Sequence, residues 1–386
     1  MGKQNSSFIN NIKYVNVNSA GLDNLGKTNS GIVGDYVVSV NGKSGDVQLD
    51  ALDVNAMPLL EAIIGDLVVP FEIIEGREKL QYQRFITSVD FPNATYADLN
   101  GTFRYCYGLK EIKGLDKVTN GYFDEAFRGC ESLEMIDDGV FQSLETPTHT
   151  HTFYNMLYGC KNLKNIPNNL FGAIKELRTY RFYGTFWLSG LEEIPSGLFR
   201  GIIDNDPRGT GADNDYAFSR TFSNTQCVEI PEGLMDNFVY AGYYEFQYAF
   251  SHNSKLVRIP KYLFKNIEGW IPTDTGYGKY AFSYCFAECS NLESDIEFSS
   301  LERVGQYMFQ YAFSLTKMKS VSFPALRSDS FAHDNGTAFN SMLNGVNGCT
   351  VHFPSNIQSV IGNWGSVLNG FGGTNTTVLF DLPATE

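Results

Sequence analysis

Several groups of side chains in this 386-residue sequence have the types and spacing for chemistry. His149 and His151 form Thr-His-Thr-His, and alternate residues of a strand point to one side, so the pair could hold a metal across a trimer axis. A polar surface loop is the plainer reading of the same residues. Asp204, Asp206, Asp213 and Asp215 offer enough oxygen for calcium, but D-N-D-P-R-G-T-G-A-D-N-D lacks EF-hand spacing and suits a solvated acidic loop. Cys285 and Cys289 lie four apart without a His at ligand spacing, which does not make a zinc site. Gly42-Lys43-Ser44 ends like a phosphate-binding loop, yet the Gly that motif requires five residues earlier is Val37.

No nucleophile elbow, zinc-protease helix or dinucleotide fingerprint occurs, so the sequence points to no enzyme, no metal and no cofactor. Paired carboxylates of a glycosidase are the one catalytic device that would leave no local mark, because acid and base can come from distant segments. A net charge of -14 leaves no basic cluster to neutralise phosphates, which argues against nucleic acid and against an anionic membrane surface. No run approaches the roughly 18 apolar residues of a membrane span, and MGKQNSSFINNIKYVNV lacks the apolar centre of a signal peptide, so export by a visible route is not expected. Binding remains. The sequence holds 30 Phe and 22 Tyr against 3 Trp, and Tyr joins a large apolar ring to a hydrogen-bonding tip suited to sugar or protein recognition.

The elements that would position a binding site follow from one stretch, FYNMLYGCKNLKNIPNNLF, residues 153 to 171, of which weaker copies recur. Phe153 and Leu157, four apart, predict one face of a short helical turn that Cys160 extends; Leu163 and Ile166, ended by Pro167, predict a short extended segment on the same core. Neither piece buries its apolar side alone, so each unit must stack on a neighbour. The second apolar residue of the pair recurs at Phe103, Phe127, Leu157, Phe186, Phe222, Phe250, Phe286, Phe313 and Leu343, with gaps of 24 to 36 residues. Cys106, Cys130, Cys160 and Cys289 share one position, which reads as a small buried thiol rather than a disulfide or metal ligand.

The pattern A-F-x2-C-x2-L-x2-I-x-I-P resembles the BspA-like leucine-rich repeat, best in EAFRGCESLEMI (125 to 136) and CFAECSNLESDI (285 to 296). It departs from that family in its irregular spacing and in Ser189, Thr225, Asn253 and Thr316, which stand where the Cys is expected. The resemblance implies an α/β repeat solenoid over about residues 96 to 350. Three insertions, Ile203 to Asp215, Glu268 to Gly278 and Leu326 to Gly336, fall at one point of the repeat and should project from one side. Loops on a rigid scaffold are where binding usually resides, so Arg208, Trp270, Tyr277 and His333 are the candidate partner-binding residues.

Ahead of the repeats, residues 1 to 33 are polar and cannot build a core, and residues 34 to 60 predict a hairpin around Asn41-Gly42. The words V-N-G-K-x-G-D-V-x-L and L-D-V-N-A, within Val38 to Leu49 and Leu52 to Ala56, resemble a short element near the N-termini of phage fibre proteins. That resemblance implies a virion surface fibre, attached to virion proteins through its N-terminus and assembled as a trimer or dimer. A head fibre is favoured over a tail fibre, since no long coiled-coil or triple-helical shaft is seen. A tail-spike glycan depolymerase and a bacterial surface adhesin are the alternatives. Leu59, Leu60, Ile63, Ile64 and Leu67 have helical spacing and predict either a capping helix or a short coiled coil within a connecting region, 61 to 95. Residues 351 to 386 are expected to cap the far end, with strands at Val351 to Phe353 and Thr377 to Phe380 around the Gly-rich turn 370 to 373.

Overall fold

The computed structural model describes residues 61–64, 67–70, 84, 86–203, 214–269, 278–331 and 336–385. Between Ile86 and Phe371 the chain winds as stacked coils around one continuous apolar core, so the expected solenoid is what forms. The aromatic alignment read from the repeats is the stacking itself. Phe103 lies on Phe127 with ring centroids 5.7 Å apart, and Phe186, Phe222, Phe250, Phe286 and Phe313 continue one column at 5.3 to 5.7 Å. The apolar residue four positions earlier builds a second column, Phe123, Phe153, Phe182, Phe218, Phe246, Phe282, Phe309 and Phe339, at 5.2 to 5.9 Å.

The expected helical turn is absent, and the reason lies in where the amides donate. In the coil around Phe282, the N–H groups of Tyr280, Phe282, Tyr284, Phe286 and Glu288 donate to Gln306, Met308, Gln310, Ala312 and Ser314 of the next coil, at 2.8 to 3.0 Å. The intervening N–H groups, from Ala281 to Cys289, donate three residues back within their own coil. An α-helix would send every one of them four residues back. This side of each coil is therefore a run of tight turns, with a left-handed residue every fourth position, as at Tyr280 (φ 57°), Tyr284 (φ 56°) and Glu288 (φ 63°). A four-residue repeat survives in both geometries, which is why the inward-facing residues were foreseeable although the backbone was not. Glycine takes some left-handed positions, among them Gly184, where a Cβ would sit 2.2 Å from the Asn155 side chain.

Across the core from the turns the coils run extended. After β1 (Glu61–Ile64) and β2 (Leu67–Pro70), β3 (Ser88–Phe91) begins a parallel sheet that continues through β5 (Glu111–Gly114) to β7 (Met135–Ile136), while β4 (Tyr96–Asp98) pairs in parallel with β6 (Asn120–Tyr122). Far along the stack, β8 (Asp295–Glu297), β9 (Ser320–Ser322), β10 (Thr350–Pro354) and β11 (Thr377–Leu382) form a second sheet, with Ile296, Val321, Val351 and Val378 in register. The coils between keep the path but only a bridge such as Glu229 to Arg258. There Ile166, Ile194, Ile230 and Ile259 are each followed by proline, whose missing N–H stops the ladder. Ion pairs between coils lie outside, such as Lys161–Glu131 at 2.7 Å and Lys319–Glu293 at 2.7 Å, exposed and screened by solvent, so they add little to stability.

The helix expected across Leu59 to Leu67 does not form. Described residues of that stretch belong to an antiparallel hairpin, β1 against β2, and β1 covers the free edge of β3. Ile63, Ile64, Val68 and Val69 are β-branched, which favours extended backbone over the helix that their spacing alone suggests. At the other end β11 extends the sheet, one-turn helices occupy Gln358–Ile361 and Gly365–Leu368, and Phe371 is buried against Phe339 and Phe353. The hairpin expected around Asn41-Gly42, the fibre-like words and the polar peptide 1 to 33 lie outside the described residues.

Candidate binding surface

The left-handed positions of the turn side point outward, and what fills them sets the character of that surface. The residue two before the second-column Phe is His151, Tyr180, Tyr216, Tyr244, Tyr280 and Tyr307 in successive coils, the five tyrosines being left-handed. Their rings stack in one line, with centroids 5.0, 4.7, 4.8, 4.7 and 5.0 Å apart. The residue two after that Phe gives a second line, Tyr248, Tyr284 and Tyr311, at 4.7 and 5.0 Å. All these tyrosines are half-buried: each stacks on at least one neighbouring ring, while part of each side chain stays in solvent.

A bulky residue at positive φ costs on the order of 1 kcal/mol or more, which Gly or Asn would avoid. Tyr in five consecutive coils therefore has to return that energy through its side chain. Stacking supplies some of it, about 0.5–1.5 kcal/mol per aromatic pair beyond area burial. Burial, reinforced by Tyr180 and Tyr243, pushes the Tyr216 phenol up to about 12, and Tyr244 is raised by burial and by its hydrogen bond with Tyr243. These hydroxyls stay protonated and remain both donors and acceptors.

Toward the second line the aromatic strip takes in cations. The Arg128 guanidinium lies 4.5 Å from the Tyr158 ring centroid, Tyr158 meets Trp187 edge-on at 5.1 Å, and Arg220 sits 4.8 Å from Trp187 and 4.3 Å from Tyr248. Arg128 is also paired with Glu125, which takes Arg104 at 3.2 Å. Beside this pair Asp124 is held up at about 7 by burial and by the charges of Glu125 and Asp98.

Arg208, Trp270, Tyr277 and His333, the candidates read from the sequence, lie outside the described residues. The insertions that carry them leave the stack at one corner, where Ile203 donates to Lys175 at 2.9 Å, Glu268 to Val239 at 2.7 Å and Arg327 to Glu302 at 3.0 Å. The first two re-enter at Asn214 and Gly278, each two residues before a tyrosine of the first line, Tyr216 and Tyr280. His149 and His151 belong to the turn side: His151 stacks on Tyr180, and buried Arg181 donates to the His149 and Pro147 carbonyls at 3.0 Å each. Burial lowers the pKa of both histidines and drops Arg181 to about 9. Of the four aspartates, Asp215 is described, and its carboxylate accepts the Tyr243 N–H at 3.0 Å. Among the described residues, no three His, Cys, Asp or Glu side chains gather where a metal could be held.

The tyrosine lines were missed from sequence. Their signal was present as pairs four apart that flank the second-column Phe at two residues on either side: Tyr244 and Tyr248, Tyr280 and Tyr284, Tyr307 and Tyr311.

The described helices include none long and apolar enough to cross a membrane. No curated protein matches the chain. A crystal structure of a leucine-rich repeat protein from Bacteroides ovatus is similar at 14% identity and a TM-score of 0.22, covering 76% of this chain and 96% of that one. The family model for the BspA type leucine rich repeat region matches in six copies, over residues 76–200 and 213–337. With well over half its length in those copies, this chain belongs to the BspA-type leucine-rich-repeat family.

Proposed function

We propose that this protein is a binding and adhesion module that takes a cell-surface glycan or protein on the tyrosine-lined turn side of its solenoid. The observation that carries this reading is the unbroken line Tyr180, Tyr216, Tyr244, Tyr280 and Tyr307, half-exposed and held rigid by stacking at 4.7 to 5.0 Å. Tyrosine gives a large amphipathic contact at low entropic cost, and side chains already ordered lose little on binding. Solenoids commonly recognise along an extended surface, because each repeat adds a similar contact. The insertions bearing Arg208, Trp270, Tyr277 and His333 leave beside this line and would extend it.

We further propose that the module is displayed on a virion as a surface fibre, a head fibre in preference to a tail fibre, docked to virion proteins through residues 1 to 60 and assembled as a dimer or trimer. The support is the resemblance of residues 38 to 56 to phage fibre proteins. A bacterial surface adhesin would use the same turn side. The test has two arms. Host cells or capsule should retain the purified protein, and Tyr244→Ser with Tyr280→Ser should remove that retention while the solenoid stays folded; retention unchanged by the double variant would move the site off the turn side. Immunogold labelling of particles should place the chain on the head, and unlabelled particles would end the fibre reading.

A depolymerase is the second reading, favoured by one observation: Asp124, held at about 7 beside Asp98 and Glu125, has the character of a proton donor next to a carboxylate. Release of reducing sugar from host capsule, abolished in Asp124→Asn, would establish it, and capsule left intact by the wild type would dismiss it.

A further inference from the structure

We propose that the turn side selects a saccharide polymer carrying isolated carboxylates, and that Arg220 receives the carboxylate; this rests on the turn side being the binding surface. The Arg220 guanidinium lies between two aromatic faces, 4.8 Å from the Trp187 ring centroid and 4.3 Å from that of Tyr248. With its Cζ over both rings, the outer N–H groups are the part left for polar contacts. That edge meets no hydrogen-bond acceptor and no carboxylate among the described residues, and the side chain is half-exposed.

The contrast with the other stacked arginine is informative. Arg128 sits 4.5 Å from the Tyr158 ring centroid in the same strip, but its guanidinium is already paired with Glu125. In a chain with 43 acidic and 29 basic residues, a clamped arginine with no acidic partner among the described residues offers a defined place for an external carboxylate. The guanidinium edge offers two parallel N–H donors that fit a carboxylate bidentately, a geometry that lysine lacks. Trp187 and Tyr248 fix its orientation, so little rotamer entropy is lost on binding.

The surroundings narrow the ligand. Along the stack from Arg220 follow Tyr248, Tyr284 and Tyr311, rings spaced at 4.7 and 5.0 Å, whose hydroxyls can exchange hydrogen bonds with the sugars that run on from the charged residue. In the coil after Arg220, His252 faces Glu288 at 3.4 Å, so local charge is mixed rather than basic. A net charge of -14 opposes a dense polyanion such as heparin or nucleic acid, whereas a single carboxylate meets one guanidinium at contact distance. Sparse carboxylate on an otherwise neutral, hydroxyl-rich chain is the chemistry that fits both.

The test uses the full-length protein on an array with neutral, uronate- or sialate-bearing, and sulfated oligosaccharides, followed by the carboxyl-reduced form of the best ligand. Binding is expected in the carboxylate arm, and carboxyl reduction or Arg220→Met should each weaken it about tenfold or more. Met keeps an apolar stem between the two rings, and Arg220→Lys, which keeps charge without the fork, should recover little. Binding confined to neutral or sulfated ligands, or carboxylate binding indifferent to Arg220→Met, overturns the inference. If Arg220→Met is silent while Tyr244→Ser with Tyr280→Ser abolishes binding, the turn side stands and the carboxylate falls. An array without signal, or signal that no turn-side variant alters, removes both.

Discussion

The thiol of Cys130 donates to the carbonyl of Phe103, one coil back, at 3.1 Å. Cys160 repeats the contact to Phe127 at 3.3 Å and Cys289 to Phe250 at 3.0 Å, so this position is a buried donor as well as a small apolar filler. Where the Cys is replaced, Asn253 donates to Phe222 at 2.8 Å and Thr316 to Phe313 at 2.7 Å. Cys130→Ser should therefore cost only about 1 kcal/mol, while Cys130→Val, which leaves the Phe103 carbonyl with only the Cys106 N–H at 3.1 Å and forces a branched side chain into a filled site, should cost about 1–3 kcal/mol. Denaturant unfolding of the two variants checks the order. All seven cysteines are buried and free, and burial pushes Cys130 well above the ordinary thiol range, so a thiol reagent at pH 8 should label none rapidly until the protein unfolds.

The Phe columns should be less forgiving. Phe250 is buried between Phe222 and Phe286, at 5.4 and 5.3 Å. Phe250→Ala is expected to cost about 3–5 kcal/mol. Because each coil contacts mainly its neighbours, hydrogen exchange should show protection lost first in the coils around Phe222 and Phe286, and uniform loss along the chain would contradict nearest-neighbour stacking.

Much of this was readable in advance. The repeating Phe fixed which residues are inward, and the aligned Phe stack on one another from Phe103 to Phe127 and again from Phe186 to Phe313. The backbone between them was not readable, because a pair such as Phe282 and Phe286 is four residues apart in an α-helix and in a run of turns alike, and two turns are too short to separate the periods. The discriminating detail was what flanks the pairs. Tyr280 and Tyr284 adopt positive φ, which their residue type disfavours, while Gly101, Gly129, Gly159 and Gly184 recur where a helix would be weakened. At Leu59 to Leu67 the same reasoning erred, since β-branching and the Gly65-Asp66 pair between the strands outweighed spacing. Arg208, Trp270, Tyr277 and His333 were chosen for residue type on inserted loops, and no packing rule fixes the path of such loops.

Alkaline pH should test the tyrosine line. Burial raises the phenols of Tyr180, Tyr216, Tyr244 and Tyr280 above the ordinary value of 10.0, Tyr216 to about 12. A raised folded-state pKa means stability fully present below the unfolded value and lost as pH climbs through the folded one. The melting temperature should hold to about pH 10 and fall between 10 and 12, with phenolate absorbance lagging that of the unfolded chain. Coincident folded and unfolded titrations would mean that the rings are not stacked in solution.

Asp124 makes the opposite limb testable. Its folded pKa of about 7 lies above the ordinary 3.8, so the stabilising contribution is complete in acid and disappears as pH rises through 7. Melting temperature should rise on going from pH 8 to pH 5, and Asp124→Asn should hold the higher value and flatten that part of the profile. An unchanged slope in Asp124→Asn would assign the effect to another group.

Alternate amides of the turn side donate along the solenoid axis, from coil to coil, and that direction decides how the protein bears load. Tension applied between the two ends of the stack opens those bonds one coil at a time, like a zipper, instead of shearing many at once. Each coil of 24 to 36 residues releases roughly 100 Å of chain as it peels. Pull applied sideways to the tyrosine line is shared instead by several coils. A module held at its N-terminal end and gripping a surface through its flank would thus yield in steps before letting go, which makes it an extensible tether.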